Sequence, residues 1–192
     1  MDKRDTIAQA ASTCLASLGV NRITVARVAK AASVSSALVH YHFSTKRKLL
    51  AAAAEALARR RTDVRVAALA AGQGLASLDA LWGVVADEDA GVERAALDLL
   101  LLAREDREVR THLTRERVRE QSRVATLLPR LLGGHDRSPR IPIDELAATV
   151  CTFLDGVAAS LQAGLPGNDV RASYDAFWLA LVALAPGAPA GR

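Results

Sequence analysis

Apolar residues recur at helical spacing through the first fifty positions of the chain. From Ile7 to Leu18 they follow the i, i+3, i+4, i+7 pattern of an amphipathic helix, and Gly19 is a residue that favours a helix C-terminus. A second apolar pattern follows Thr24 and a third follows Ser35, and both residues are good helix N-caps. The pattern predicts two short helices joined by a tight turn and braced by a longer one, which is a helix–turn–helix.

The helical pattern continues to the C-terminal part of the chain. Ser44 or Thr45 can cap a fourth helix that starts at Lys46 and runs to about residue 71. Further helices are predicted at about 75–85, 91–103, 107–132, 143–164 and 168–184, with a Gly- and Pro-bounded loop at 133–142. In the charged segment 107–132 we expect Val109, Leu113, Val118 and Leu127 or Leu128 to lie near one buried stripe, with the arginines on a solvated face.

These elements predict an all-α protein with an N-terminal three-helix head and a helical-bundle body. We expect the helix–turn–helix domain to cover residues 1–46, with the motif itself at about 24–43. The body covers residues 47–185, and residues 186–192 are expected to be a disordered tail. The composition agrees, because 51% of the residues are apolar and only 4% are aromatic, which favours helices over sheets.

Charge separates the head from the rest of the chain. Residues 1–50 contain eight Lys and Arg against two acids, whereas residues 51–192 contain 17 Arg against 19 acids. A basic N-terminal unit on a weakly acidic body is typical of a nucleic-acid-binding protein. A chance imbalance on a solvated surface is the alternative.

Several classes of protein are disfavoured by what the sequence lacks. No apolar run reaches the ~18 residues that a membrane span requires, and the N-terminus lacks the apolar middle of a signal peptide, so we expect a cytoplasmic protein. Neither phosphate-binding glycine motifs nor a nucleophile elbow is present, and no cofactor is predicted.

Catalytic and metal sites find little support in the sequence. A triad of Cys151, His112 and Asp155 can be imagined, but Cys151 lies in an apolar helical run where a small buried side chain is the default. Cys14 and Cys151 are both expected to be buried thiols. His112 and His135 have no ligand at metal-binding spacing, so neither an enzyme nor a metal site is predicted.

The third helix of the head predicts a surface suited to DNA. Val39 and Phe43 lie four residues apart and are expected to point inward, which leaves Ser36, Ala37, His40 and Tyr41 outside. Small residues permit close approach to base edges, whereas hydroxyl and imidazole groups can reach phosphate oxygens. Lys46, at a helix start, adds a cation to free backbone N–H groups and predicts a phosphate contact.

From Thr24 to Leu50 the chain resembles the DNA-binding signature of the TetR family of bacterial transcriptional regulators. The residues that match the signature outright are Thr24, Ala29, Ala32, Val34, Ser35, Phe43, Lys46 and Leu49. The resemblance and the expected outer face of the third helix together predict a set of DNA-contacting residues. They are Thr24, Ser35, Ser36, Ala37, His40, Tyr41, His42 and Lys46.

Three residues depart from the family signature. Ser33 stands at a usual turn glycine, where the backbone conformation suits glycine better. Ala37 stands at a frequent glycine, and His40 stands at a usual tyrosine. The operator sequence is therefore left open.

The resemblance also implies a homodimer that forms by pairing of the C-terminal helices. Such a dimer would read a pseudo-palindromic DNA site. We expect the apolar stripes of those helices to exceed what one chain can cover, which predicts an interface formed by Leu146, Val150, Phe153, Leu154, Tyr174, Phe177, Trp178 and Leu181. The alternative is that they form ordinary core.

A small apolar ligand for the body is implied by the resemblance and by the residues. Trp82, His112, Cys151, Phe153 and Trp178 are the candidate lining, although each can equally be a core residue. The function predicted is a DNA-binding regulator, a repressor that the ligand releases from its operator. The alternative is a ligand-binding protein with nonspecific or architectural DNA binding.

Overall fold

A computed structural model of the chain describes residues 2–72, 74–87, 90–132 and 141–184. In these residues the regular structure consists of nine α-helices and one short 3₁₀ turn, without a β-strand, so the predicted all-α class is confirmed. Residues 133–140, which include His135 and most of the predicted loop, lie outside the described residues, as does the predicted tail 186–192.

The helices fall where the apolar pattern predicts them. They are α1 Lys3–Leu18, α2 Val25–Ala31, α3 Ser36–His42, α4 Lys46–Ala70, α5 Leu75–Ala86, α6 Ala90–Glu105, α7 Arg107–Leu131, α8 Ile143–Gln162 and α9 Gly167–Leu184, with the 3₁₀ turn at Val20–Arg22. Within the described ranges, no helix combines the length and apolarity needed to cross a membrane.

The chain forms two compact units. The first, called the head unit below, comprises residues 1–61 and 89–118, and the second, called the body unit, comprises residues 62–88 and 119–192. The head unit therefore contains α6 and the start of α7 in addition to the helix–turn–helix. The predicted boundary after residue 46 marks the end of the sequence motif and stays a prediction.

One apolar core holds the head unit together. Its fully buried members come from α1, α2, α3, α4 and α6, and include Ile7, Leu15, Val28, Val39, Leu49, Leu57 and Leu99. Val34 packs against this core from the turn between α2 and α3, as its position in the pattern predicts. Because burial of such a side chain stabilises by about 1.5–3 kcal/mol, this core is the main reason that α3 keeps a fixed orientation.

Side-chain caps set the helix starts in the head unit. Thr24 Oγ1 accepts a hydrogen bond from the Arg27 N–H at 3.3 Å, and Ser35 Oγ accepts one from the Leu38 N–H at 3.1 Å. The cap of α4 is Thr45, whose Oγ1 accepts from the Lys48 N–H at 3.1 Å. In the turn between α2 and α3, Ser33 adopts a φ of 53°, which confirms the predicted glycine-like conformation.

An aromatic cluster lies in the core of the body unit. Trp82 of α5 lies 5.2 Å from Tyr174 of α9, and Phe153 of α8 stacks on Phe177 with ring centroids 3.8 Å apart. The Tyr174 hydroxyl donates a hydrogen bond to the Leu78 carbonyl at 2.7 Å. Burial raises the pKa of Tyr174, because it disfavours the phenolate. The cluster joins α5, α8 and α9 into one core.

The structure corrects the reason given for the predicted dimer interface. The residues of that set that are buried within their own body unit are Leu146, Val150, Leu154, Tyr174, Trp178 and Leu181. They are covered because α5 and the end of α7 contribute Leu78, Leu81, Val124 and Leu128 to the same core. The apolar stripes of α8 and α9 therefore do not exceed what one chain covers. Phe153 and Phe177 are only partly buried.

The predicted stripe of α7 also needs one correction. Val109 and Leu128 are fully buried, but Val118 is exposed. Glu116 and Glu120 are buried instead, and ion pairs hold both carboxylates. Because a helix advances 100° per residue, the sequence 109, 113, 116, 120, 124 follows one face and residue 118 lies off it. The apolar character of Val118 therefore led to a wrong prediction that it lies on the buried face of α7.

A fully buried arginine lies in the body unit. Arg65 of α4 donates from Nη1 to Asp155 Oδ1 of α8 at 2.8 Å and lies 3.6 Å from Glu120 Oε1 of α7. Only 1% of Arg65 is exposed, which makes it one of the largest buried side chains. A charge buried this far is tolerated only when carboxylates pair with it.

Candidate DNA-binding site

The exposed face of α3 is the one that the sequence predicts. Val39 and Phe43 point into the head core and are almost completely buried, whereas Ser36, Ala37 and His40 are exposed. Tyr41 has 82% of its surface exposed. A tyrosine that is exposed to this degree contributes little to the fold, so its ring and hydroxyl are available to a binding partner.

Two aromatic contacts lie at the C-terminal end of α3. His42 is partly buried, and its ring meets the Tyr41 ring edge-on at 5.2 Å. The Arg4 guanidinium of α1 lies over the Phe43 ring at 5.2 Å from its centroid. Burial of Val39 and Phe43 seats the short helix α3 on the head core, and a base-reading element requires such a fixed position.

The first turn of α4 follows directly and carries a dense positive charge. Lys46, Arg47 and Lys48 are all exposed. Thr45 caps one backbone N–H of this turn, while the helix dipole places partial positive charge at the same end. An anion such as a phosphate group is favoured at this position.

The remaining basic residues of the head are also exposed to solvent. The eight Lys and Arg of residues 1–50 are Lys3, Arg4, Arg22, Arg27, Lys30, Lys46, Arg47 and Lys48, and every one is exposed. Arg27 is fixed by a hydrogen bond from Nη1 to the Arg22 carbonyl at 2.6 Å. The positive charge predicted from the sequence thus lies on the surface of the head unit.

Comparison with known proteins agrees with this geometry. Residues 7–60 match the sequence model of bacterial regulatory proteins of the tetR family. The N-terminal segment is therefore similar to that of TetR-family regulators. The resemblance predicted from Thr24 to Leu50 is confirmed, because that stretch lies inside the matched range. No curated protein matches the chain in sequence.

Solved structures share the fold of the whole chain. A protein from Rhodococcus sp. described as a TetR-family transcriptional regulator is 21% identical, with a TM-score of 0.74 over 96% of this chain and 98% of that one. Another Rhodococcus transcriptional regulator is 20% identical, with a TM-score of 0.73 over 98% of this chain and 100% of that one. A TetR transcription regulator from Haloarcula marismortui is 18% identical, with a TM-score of 0.67 over 96% and 99%. The TetR-type head and the helical body thus occur together in known regulators.

The comparisons support the predicted class of function. The chain has the fold of proteins described as TetR-family transcriptional regulators. Which residues touch DNA stays a prediction for Thr24, Ser35, Ser36, Ala37, His40, Tyr41, His42 and Lys46. In the structure all of them lie in α3, at the caps of α2 and α3, or at the start of α4.

The candidate ligand-binding residues do not all lie in one unit. Trp82, Cys151, Phe153 and Trp178 belong to the body unit, where Trp178 lies in the aromatic cluster with its Nε1 buried and without a hydrogen bond in the described residues. His112 belongs to the head unit, where Nδ1 contacts Glu55 Oε2. It lines an open cavity of about 360 Å³ beside Arg47, Asp106 and Thr111.

The imagined catalytic triad does not assemble. His112 pairs with Glu55 in the head unit, while Asp155 pairs with Arg65 in the body unit. Cys151 is completely buried, and Cys14 is buried in the head, where burial raises the pKa of its thiol. Among the residues that the structure describes, no group of three His, Cys, Asp or Glu side chains can hold a metal ion.

Two charged residues beside the site were not singled out by the sequence. Arg47 is visible only as one member of a basic run, and Asp106 is one acid in a segment crowded with charge. In the structure they contact each other at 2.9 Å, next to Lys46. The only local signal was that Asp106 precedes α7 at an N-cap position.

Proposed function

We propose that the protein is a sequence-specific regulator that binds double-stranded DNA, and that it acts as a repressor. The observation that carries the proposal is the continuous exposed surface of Ser36, Ala37, His40 and Tyr41 on α3, beside the cationic first turn of α4. The small residues at the start of α3 suit close approach to base edges. Tyr41 and Lys46 suit phosphate oxygens. The cytoplasmic location that this role requires stays a prediction.

The interaction with DNA is tested with duplexes selected from a random pool by the purified chain. Lys46→Ala should weaken binding to all duplexes and lower the slope of log affinity against log salt by about 0.9 for each phosphate that is no longer neutralised. Lys48→Ala is the matched control, because it removes the same charge from the same turn and Lys48 is not assigned to DNA. Substitutions at Ser36 or Ala37 should instead change which duplexes are selected. Equal salt slopes for Lys46→Ala and the parent chain would remove Lys46 from the interface.

A homodimer follows from the proposal, because a pseudo-palindromic site needs two recognition helices about 34 Å apart. Since the inward stripes of α8 and α9 are core, we propose that their outer faces pair. These faces carry Thr149, Thr152 and Gly156 on α8 and Leu179 on α9, and Leu179 is 66% exposed.

The oligomeric state tests this interface. Leu179→Asp should dissociate the dimer without disturbing the body core, because the side chain contacts solvent in the single chain. Leu165→Asp, at an exposed leucine between α8 and α9, is the matched control. A Leu179→Asp protein that sediments as the parent dimer places the interface elsewhere.

We further propose that a mainly apolar molecule binds the body and releases the DNA. Trp82, Cys151, Phe153 and Trp178 support this, since their unit has an aromatic core and Trp178 Nε1 is a buried donor that a ligand acceptor could satisfy. Linkage makes the proposal testable, because a ligand that weakens DNA binding a hundredfold must bind the DNA complex a hundredfold more weakly, a coupling of about 2.7 kcal/mol.

Thermal-shift screening of apolar molecules, followed by titration against free and DNA-bound protein, measures that coupling. Trp178→Phe keeps the apolar volume nearly intact but removes the N–H, and should weaken hits that carry an acceptor. Hits that bind both forms equally would contradict release by a ligand.

The alternative function is a ligand-binding protein that binds DNA nonspecifically or architecturally. The exposed basic residues of the head would serve that role equally well. A footprint confined to one short palindrome excludes it, whereas a footprint that spreads with protein concentration supports it.

A further inference from the structure

One carboxylate links the junction of α6 and α7 to the first turn of α4. Asp106 Oδ1 accepts hydrogen bonds from the backbone N–H groups of Glu108 at 2.9 Å and Val109 at 3.2 Å, and therefore caps α7. The second oxygen, Oδ2, forms an ion pair with Arg47, in which Oδ2 and Nε lie 2.9 Å apart. The Asp106 side chain is 9% exposed, so both of its oxygens are held in fixed positions within the head unit.

Arg47 differs sharply from Asp106 in its exposure. Its side chain is 71% exposed although Nε is bound, and it follows Lys46 directly in the capped turn. A guanidinium carries five N–H donors in one plane, so the Nε bond leaves the terminal NH₂ groups available. Because Nε is anchored, the plane of those groups is restricted before any partner binds. Pre-orientation of this kind lowers the entropic cost of binding.

Phosphate is the partner that fits this arrangement. Two parallel N–H groups of an arginine match two phosphate oxygens, and an arginine can donate to a carboxylate and a phosphate at the same time. The start of α7 takes up part of the Asp106 charge, since a helix N-terminus carries partial positive charge. The Arg47 guanidinium thus keeps a net attraction for an anion.

We infer that Arg47 is a second phosphate-contacting residue of the α4 turn, and that Asp106 is the positioning residue that holds its guanidinium. The inference rests on the proposed function, in which α3 and Lys46 meet DNA. It also gives the junction of α6 and α7 a direct effect on DNA affinity, because a displacement of Asp106 releases Arg47.

A purely structural ion pair is the competing interpretation. An ion pair with one exposed partner contributes little to stability, and its removal has no effect on the number of phosphates neutralised. The two interpretations therefore differ in the salt dependence of DNA binding, which a structural role leaves unchanged.

The test measures affinity for a selected duplex against salt for the full chain and its variants. Arg47→Ala should lower the salt slope by about 0.9 per bound protomer and reduce affinity roughly tenfold at physiological salt. Arg47→Lys keeps the charge but removes Nε and the planar fork, so it should retain the slope while affinity falls a few-fold.

The variant Asp106→Asn tests the ion pair with Arg47 separately from the capping of α7. Asparagine caps helices as well as aspartate does, so α7 should keep its start, but its neutral amide removes the negative charge that pairs with Arg47. We expect about a fivefold loss of affinity with an unchanged thermal midpoint. Asp106→Ser, which also caps, serves as the second variant and should show the same loss.

The double variant Arg47→Ala with Asp106→Asn shows whether Asp106 affects DNA binding by positioning Arg47 or through its own negative charge. If Asp106 acts through Arg47, Asp106→Asn should have no further effect in the Arg47→Ala background. An Asp106→Asn effect of equal size in both backgrounds, or an Arg47→Ala protein with parental affinity and slope, would overturn the inference while leaving the proposed function intact. Failure of the parent chain to bind any selected duplex would overturn both.

Discussion

The first fifty residues and the body unit use charge in opposite ways. In the head, every basic residue of the first fifty positions is exposed, and the core beneath them is apolar. In the body, Arg65 is buried among carboxylates and Tyr174 is buried with its hydroxyl bonded. A surface that binds a polyanion has to leave its cations accessible, whereas buried polar groups favour one arrangement of the helices that they join. The difference predicts that single polar substitutions affect stability more in the body than in the first fifty residues.

The strongest effect is expected from removing the partner of Arg65. Asp155→Ala should lower the free energy of unfolding by about 3 kcal/mol, because it weakens the pairing of a fully buried charge. Both tryptophans, Trp82 and Trp178, lie in the body unit, so tryptophan fluorescence during urea unfolding reports on that unit.

Asp175→Ala is the matched control for that experiment. It removes a carboxylate that pairs with Arg171 at the surface, and should cost no more than about 1 kcal/mol. Equal losses of unfolding free energy in the two variants would show that burial of Arg65 does not make its carboxylate partner more important for stability.

The second effect concerns the Tyr174 hydroxyl. Tyr174→Phe removes the buried hydrogen bond from the tyrosine hydroxyl to the Leu78 carbonyl and should cost about 1–2 kcal/mol. Tyr174 also makes stability depend on pH. Its folded pKa is raised above the ordinary value of 10.0, so its contribution is complete below pH 10 and declines as the pH rises beyond it.

The Phe variant should therefore lose less stability than the parent chain between pH 9 and about pH 11. Tyr41→Phe, at the exposed tyrosine of the head, should leave stability and its pH dependence unchanged. Parallel pH profiles of the parent chain and Tyr174→Phe would contradict the assignment.

These body contacts mark the limit of what the sequence could predict. The helices α8 and α9 were predicted correctly from their apolar periodicity. Their side chains were assigned to a dimer interface, although Leu146, Val150 and Trp178 are core. Periodicity identifies the apolar face of a helix but not the element that covers it. Here α5 and α7 provide the cover.

The third prediction moves to the head and is smaller. Ser35→Ala removes the cap of α3 and should cost about 1 kcal/mol. Ser44→Ala is the matched control, because Ser44 is an exposed serine of the same unit and Thr45 is the cap beside it. Circular dichroism during thermal unfolding measures both, and a loss as large as that of Asp155→Ala would contradict the contrast between the first fifty residues and the body.

The weakest effect is expected to be a gain in stability. Ser33 has a φ of 53°, which glycine adopts without the steric cost of a side chain, so Ser33→Gly should stabilise the head by about 0.5–1 kcal/mol. Hydrogen exchange of the α2 and α3 amides measures this locally. Ser36→Gly, in the first turn of α3, is the control and should destabilise. A loss of stability in Ser33→Gly would mean that the serine makes up for its strain through other contacts.

Features that depend on neighbouring residues could be derived from the order of the amino acids. The caps at Thr24 and Ser35, the strained turn at Ser33 and the exposed face of α3 all follow from interactions within a few positions. The packed fold was needed to establish which distant charges meet, such as Arg47 with Asp106 and Arg65 with Asp155. The two cases differ because a hydrogen bond within one turn has few alternatives, whereas an arginine in a charged segment has many possible carboxylates until packing brings one within reach.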